Sequence, residues 1–311
     1  MTSSAAEPYP ARLLLLAALA GAAAGGVCWL AYRLPPPSTS DLDQLIIAAR
    51  ALLTGRDPYS TVARSQHYPL FYPLPAAIVL SPLAFLPIEL ARVVWAAISG
   101  FVFALAGARY RRGLAVGMLS ASFFHAVALN QWSPLLTAGA VFPLAGALFV
   151  AKPSVGAALA AAYPTRWGIV GSAVLLLISL IAFPGWPMEW LQALRSSIAS
   201  APVLQPGGVI LLLAALRWRY PEARMLIGLV CVPQTIGLYE TLPLFLIPST
   251  RREGYLLAGL SYVAAFGQFA VFPRTAGMSL EENLAARWPF MLVFLYLPAV
   301  VLLLRKPRSP Q

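Results

Sequence analysis

Long, mostly apolar runs separated by short polar or basic breaks repeat along this chain, beginning with 11–34. A run of about 20 such residues crosses a bilayer as a helix. The pattern therefore predicts an all-α polytopic membrane protein with about 8–10 transmembrane helices. Further runs fall at 73–88, 90–108, 114–130, 133–150, 167–184, 203–216, 224–239, 255–272 and 288–304, and 153–163 and 241–249 read as half-helices. With 28 Pro and 22 Gly, several helices must be short, broken or kinked, which membrane proteins tolerate where neighbouring helices or water satisfy the freed backbone groups. The expected organisation is one membrane domain over 1–311: a first transmembrane helix at 11–34, a loop at 35–72, the remaining membrane helices over 73–304 and a basic tail at 305–311. A retained anchor is favoured for 11–34, with a cleaved signal peptide as the competing reading from the small residues at 20–26.

Pro35-Pro36-Pro37 ends the first helix. Beyond it, Leu42, Leu45, Ile46, Ala49, Leu52 and Leu53 share one helical face, while Asp41, Gln44, Arg50 and Thr54 lie elsewhere. This predicts an amphipathic helix along the membrane interface, closed by Gly55 and followed by a turn at Asp57-Pro58. Trp186, Trp190 and Trp288 read as interfacial anchors. The basic breaks at Arg109/Arg111/Arg112, Arg166, Arg217/Arg219/Arg224, Arg251/Arg252 and Arg305/Lys306/Arg308 predict a cytoplasmic face shared with the N-terminus. The loop 35–72, the Trp186–Trp190 segment and Glu281/Glu282 are then expected outside. One conflict arises: if 73–88 and 90–108 both cross, Arg109–Arg112 end up outside. Either 73–88 is re-entrant or the positive-inside rule fails locally.

Composition sharpens this picture. The chain is 59% hydrophobic and 11% charged with a net charge of +11. The cations cluster in the short breaks, a topology signal that also favours anionic membrane lipids, and no basic stripe interleaved with aromatics points to nucleic acid. Cys28 and Cys231 lie within apolar runs and read as small buried residues. Acids are scarce, yet three of the eleven, Asp41, Asp43 and Asp57, fall in one stretch.

The stretch Asp41, then Ala-Ala-Arg-Ala-Leu-Leu-Thr-Gly-Arg-Asp-Pro-Tyr at 48–59, resembles the first outer loop of bacterial GT-C glycosyltransferases. It is most similar to glycosyltransferase family 87, which uses polyprenyl-phosphate mannose. Tyr72-Pro73-Leu74-Pro75, Pro82–Pro87 and a helix bearing Trp95 follow in the family's order. Asn130-Gln131-Trp132-Ser133 is similar to its Gly-Gln motif, with Asn in place of Gly. Lys152-Pro153 and the segment from Val232-Pro233-Gln234 to Tyr239-Glu240 resemble later motifs. The resemblance covers roughly 40–250 and implies a GT-C-like helical bundle in the bacterial inner membrane, N-terminus in the cytoplasm. It further implies an inverting transferase moving a sugar, mannose by analogy, from a polyprenyl-phosphate donor to a lipid or glycan acceptor at the outer face.

Such chemistry needs a carboxylate to take the acceptor's proton, cations or amides for the leaving phosphate, and an apolar groove for the lipid. By the resemblance Asp41 is the base, with Asp43 as substitute or support. From the residues alone, Asp41 equally suits helix capping and Asp43 a first-turn charge, and Asp57 reads as a turn or cap residue. Lys152, an expensive cation within the apolar part of the chain, is a candidate phosphate contact or a snorkelling side chain. His125, Asn130 and Gln131 are candidates for the same cavity, although a lone His among apolar residues is more often a hydrogen-bonded packing residue. Tyr72, Gln234, Tyr239 and Glu240 form a candidate pocket. No metal constellation or organic cofactor is indicated; a divalent cation at Asp41/Asp43 has only weak support. Two other classes stay open: a shortened non-catalytic GT-C-like subunit with a protein complex as partner, and a lipid or small-solute transporter.

Overall fold

The structure is a computed structural model that describes residues 10–34, 40–66, 68–110, 112–197, 199–271 and 280–307. The Pro35–Pro37 break, Arg111 and Arg308 lie outside the described residues. The described elements are helical: α1 (Ala11–Arg33), α2 (Asp41–Leu53), α3 (Pro58–Gln66), α4 (Leu74–Leu80), α5 (Ile88–Arg109), α6 (Arg112–Val116), α7 (Ala121–Ala128) and α8 (Ser133–Gly139). Then come α9 (Pro153–Ala162), α10 (Arg166–Ala182), α11 (Trp186–Arg195), α12 (Pro221–Cys231), α13 (Arg251–Val271), α14 (Leu280–Met291) and α15 (Leu297–Leu304). The only β pairing among the described residues is an isolated bridge between Ser200 and Gln234.

Among the described residues three helices are long and apolar enough to cross a membrane: α1, α5 and the stretch Ala285–Leu304. A fourth would join α10 to α11 across a 98° bend. The chain is thus a helical membrane protein. Its other apolar runs are cut into shorter pieces, and proline is the main cause. Proline opens α4, α8, α9, α11 and α12 within their first two positions, where its missing N–H costs nothing. The run 133–150 becomes α8 and a 3-10 helix over Ala145–Ala151, and 203–216 becomes a 3-10 helix over Gly208–Arg217. A ten-residue helix such as α9 reaches about 15 Å, half of the roughly 30 Å hydrocarbon core.

α1 and α5 run antiparallel in close contact: Gly25 meets Val93, and Gly21 meets Ala97 and Phe101. A Cβ on Gly21 would lie 2.7 Å from Ala97 O, and one on Gly100 2.6 Å from Ala24 Cβ, so only small residues let these backbones meet. The antiparallel pairing resolves the conflict over Arg109: this residue returns to the end of the bundle where α1 begins. Leu74–Phe85 therefore starts and finishes on the Arg33 side without crossing. Tyr110 OH lies 3.4 Å from Tyr163 OH, Arg224 donates to Ala162 O at 3.3 Å, and Gly113 packs under Pro248. These contacts gather the basic breaks at the end opposite Arg33.

Two expectations are corrected. α2 is not a helix lying on lipid: Leu42, Leu45, Ile46, Ala48, Ala49 and Ala51 are fully buried, and Asp43 and Gln44 are buried on another face. The chain after it folds back, so α3, α4 and α5 cover it, and Arg50 ties it down by donating to Ala84 O (2.9 Å) and Leu86 O (2.7 Å). Gly55, at φ +68°, ends α2 with its N–H on Leu52 O and that of Arg56 on Ala51 O, a left-handed closure that a side chain would strain. Two of the three tryptophans are likewise inside: Trp186 and Trp288 are buried, Trp288 donating to Pro206 O at 2.8 Å, while Trp190 is half-buried. Cys28 is buried as expected of it, whereas Cys231 is exposed.

Candidate functional site

Ser40 caps α2 by accepting from Leu42 N at 3.1 Å, and Asp43 reciprocates by accepting from Ser40 N at 3.2 Å. The cap is thus Ser40, and Asp41 is the first helical residue, a position where negative charge suits the helix dipole. Its Oδ2 accepts from Tyr72 OH (2.9 Å) and Gln131 Nε2 (2.8 Å). Its Oδ1 accepts no hydrogen bond from the described residues. One oxygen is oriented and the other is open.

Asp43 is placed otherwise. Both its oxygens face the Arg92 guanidinium of α5, with Arg92 Nε at 2.7 Å from Oδ1, and Arg92 stacks over Tyr32 at 4.1 Å. With Ser40 N also on Oδ2, this carboxylate serves the fold. Its partners are therefore Arg92 and Ser40, where those of Asp41 are Tyr72 and Gln131. No group of three or more His, Cys, Asp or Glu side chains gathers among the described residues.

Asn130 adopts φ +54°, a left-handed conformation that Gly and Asn take more readily than other residues. Its side chain donates to Arg92 O (2.8 Å) and accepts from Ser40 Oγ (3.1 Å), and its carbonyl accepts from Trp95 at 3.2 Å. Asn130 therefore shapes the turn and does not itself face Asp41. The turn delivers Gln131, whose amide can be read in only one sense. Its Nε2 donates to Asp41, and its Oε1 accepts from Lys152 Nζ at 2.8 Å, because a lysine ammonium only donates and a carboxylate only accepts.

Lys152 stands at the break before α9, buried to 8% exposure. Besides Gln131 it meets Glu240 at 3.6 Å and the faces of Tyr239 (4.6 Å) and Tyr72 (5.9 Å). A buried ammonium needs this many partners. Glu240 also accepts from Gly237 N at 3.0 Å, closing the first turn of the 3-10 helix Leu238–Leu246. Tyr239 OH pairs with Thr235 Oγ1 at 2.9 Å, across a turn in which Ile236 holds φ +51°, a costly conformation for a β-branched residue. Burial, and next the Asp41 charge, push the Tyr72 phenol well above its ordinary pKa, so it stays a donor.

The structure thus brings together Asp41, Tyr72, Gln131, Lys152, Tyr239 and Glu240 from five separate segments. His125 abuts the far side, its ring 5.6 Å from that of Tyr239 and its Nδ1 buried with no hydrogen bond among the described residues. Gln234 is engaged elsewhere: its amide donates to Leu229 O and its backbone pairs with Ser200. Beside the cluster runs an open groove of about 450 Å³, lined mainly by apolar groups including Pro73, Phe149, Pro153, Gly156, Ile169 and Trp190. Pro73 follows Tyr72 and Pro153 follows Lys152, so groove and polar cluster adjoin.

Comparison with family models, curated proteins and solved structures finds no match to this chain.

Sequence reasoning missed three neighbours. Tyr68 lies within electrostatic reach of Asp41, and burial, ahead of that charge, raises its phenol pKa. Arg287 of α14 lies within reach of Tyr239 and His125; its place at the edge of the last apolar run was its available signal. Trp190, whose indole donates to Phe71 O at 3.0 Å, had no such signal.

Proposed function

We propose that this protein is an integral-membrane inverting glycosyltransferase of GT-C type that moves a sugar, mannose by analogy, from a polyprenyl phosphate to a hydroxyl acceptor. The observation that carries the reading is the Asp41 carboxylate, with Oδ2 fixed by Tyr72 and Gln131 and Oδ1 without a hydrogen bond among the described residues, in a polar cluster that adjoins an apolar groove. Asp41 Oδ1 takes the acceptor's proton as its oxygen attacks the anomeric carbon. The bond from that carbon to the phosphate oxygen breaks, and the phosphate leaves with the electron pair on the lipid. Supporting this, Asn130 supplies the left-handed turn for which the family motif carries Gly. In the same reading the broken helices pair end to end into about 8–10 crossings, and the basic end faces the cytoplasm.

Asp41→Asn, reconstituted with a polyprenyl-phosphate mannose donor, is expected to lose transfer while keeping expression and membrane insertion. Full activity in that variant would sink the assignment. A second reading, a non-catalytic subunit that retained the fold, is favoured by Lys152 being already neutralised by Glu240 and bonded to Gln131. It predicts stable copurification with a larger complex and no turnover of any lipid-linked sugar.

A further inference from the structure

Helix α11 touches both the groove and the loop that carries Tyr72. The Trp190 indole N–H donates to Phe71 O at 3.0 Å, while its ring, 6.1 Å from that of Trp186, walls the groove. From the other side, Tyr59 OH donates to Tyr72 O at 3.1 Å. Two successive carbonyls are thus held by two aromatic donors, and Tyr72 OH then reaches Asp41 at 2.9 Å. α11 hangs from α10 by the 98° bend and leaves Met188 63% and Leu191 50% exposed, so its outer face is free of the bundle.

We propose that Trp190 is a positioning residue that couples occupancy of the groove to the orientation of Asp41. An isoprenoid chain entering the groove lies against the Trp190 ring. The indole passes that contact through Phe71 O to the loop, and Tyr72 sets the acid. The choice of an isoprenoid occupant and the rate consequence rest on the transferase reading; the hydrogen-bonded path from Trp190 to Asp41 does not.

The test uses the full-length protein in detergent with farnesyl phosphate as probe and hydrogen exchange over 68–74 as readout. Saturating probe is expected to slow exchange there in the wild type. Trp190→Phe keeps an aromatic wall and loses the N–H, so at probe concentrations that saturate the variant it should show no change over 68–74. Trp190→His, which retains a ring N–H, should restore the response in part, as a purely steric wall would not. Where transfer is measurable, Trp190→Phe should lower kcat about tenfold at saturating donor. Failure of the probe to bind the wild type, binding without any change over 68–74, or an unaltered response in Trp190→Phe would each overturn the coupling. Wild-type coupling without turnover would overturn the transferase reading alone.

Discussion

A buried lysine–glutamate pair lies at each end of this molecule, and the two pairs sit in opposite surroundings. At the basic end Lys306 meets Glu222 at 3.1 Å and lies over Tyr220 at 5.5 Å. Arg217 donates to Leu304 O (2.8 Å) and Lys306 O (3.2 Å), and Tyr220 OH to Pro307 O (2.9 Å), so the end of α15 is stapled to the start of α12. At the other end Lys152 meets Glu240 at the longer 3.6 Å, beside a groove and one amide away from a carboxylate with an open oxygen. The same pair of residue types thus docks a chain segment in one place and stands within the polar cluster around Asp41 in the other. What surrounds the ion pair, not the pair itself, distinguishes the two ends.

The sharpest break of this comparison is Asp41→Asn, expected to lower transfer by about 10²–10⁴-fold with an unchanged melting temperature; an equal loss of stability would make Asp41 another fastening. Next, Glu222→Gln should destabilise by about 3–5 kcal/mol, because it leaves the buried Lys306 without its counter-charge. Thermal unfolding in detergent measures this. The double change Glu222→Leu/Lys306→Met should recover most of that stability and leave transfer intact. Glu240→Leu/Lys152→Met should also recover stability relative to either single change, but not transfer. Equal transfer in the two double variants would erase the distinction between the ends.

Tyr72→Phe removes one of the two donors on Asp41 Oδ2, with an expected rate loss of about tenfold in a single-turnover assay. The smallest effect is on pH dependence. The folded state holds the Tyr72 phenol above its ordinary value, so it favours the protonated form. This contribution to stability is complete below about pH 10, the ordinary tyrosine value, and is lost as pH rises from there toward the folded value. Tyr72→Phe should therefore flatten the fall in melting temperature above pH 10.

Much of the site was legible because its parts are anomalies in an apolar chain. Asp41, Gln131 and Lys152 stand out where polar groups are expensive, and the Ser40–Asp43 cap and the Gly55 turn are local, set by residues three or four apart. The fate of Asp43 was not legible, because Arg92 lies 49 positions away on α5. Trp190 and Phe71, 119 apart, meet only because the chain bends between α10 and α11. The burial of α2 was missed for a similar reason. Its apolar face was plain in the sequence, but what would cover its polar face was not.

By itself the sequence determined a helical membrane chain, its proline-broken runs and the scarcity that made the first acids conspicuous, since each follows from local composition and backbone chemistry. Only the tertiary structure decided what the Asp41 and Asp43 carboxylates meet. Two residues apart on a helix, their side chains diverge by roughly 200°, so the packing that turns one carboxylate toward α5 and Arg92 turns the other toward Tyr72 and Gln131.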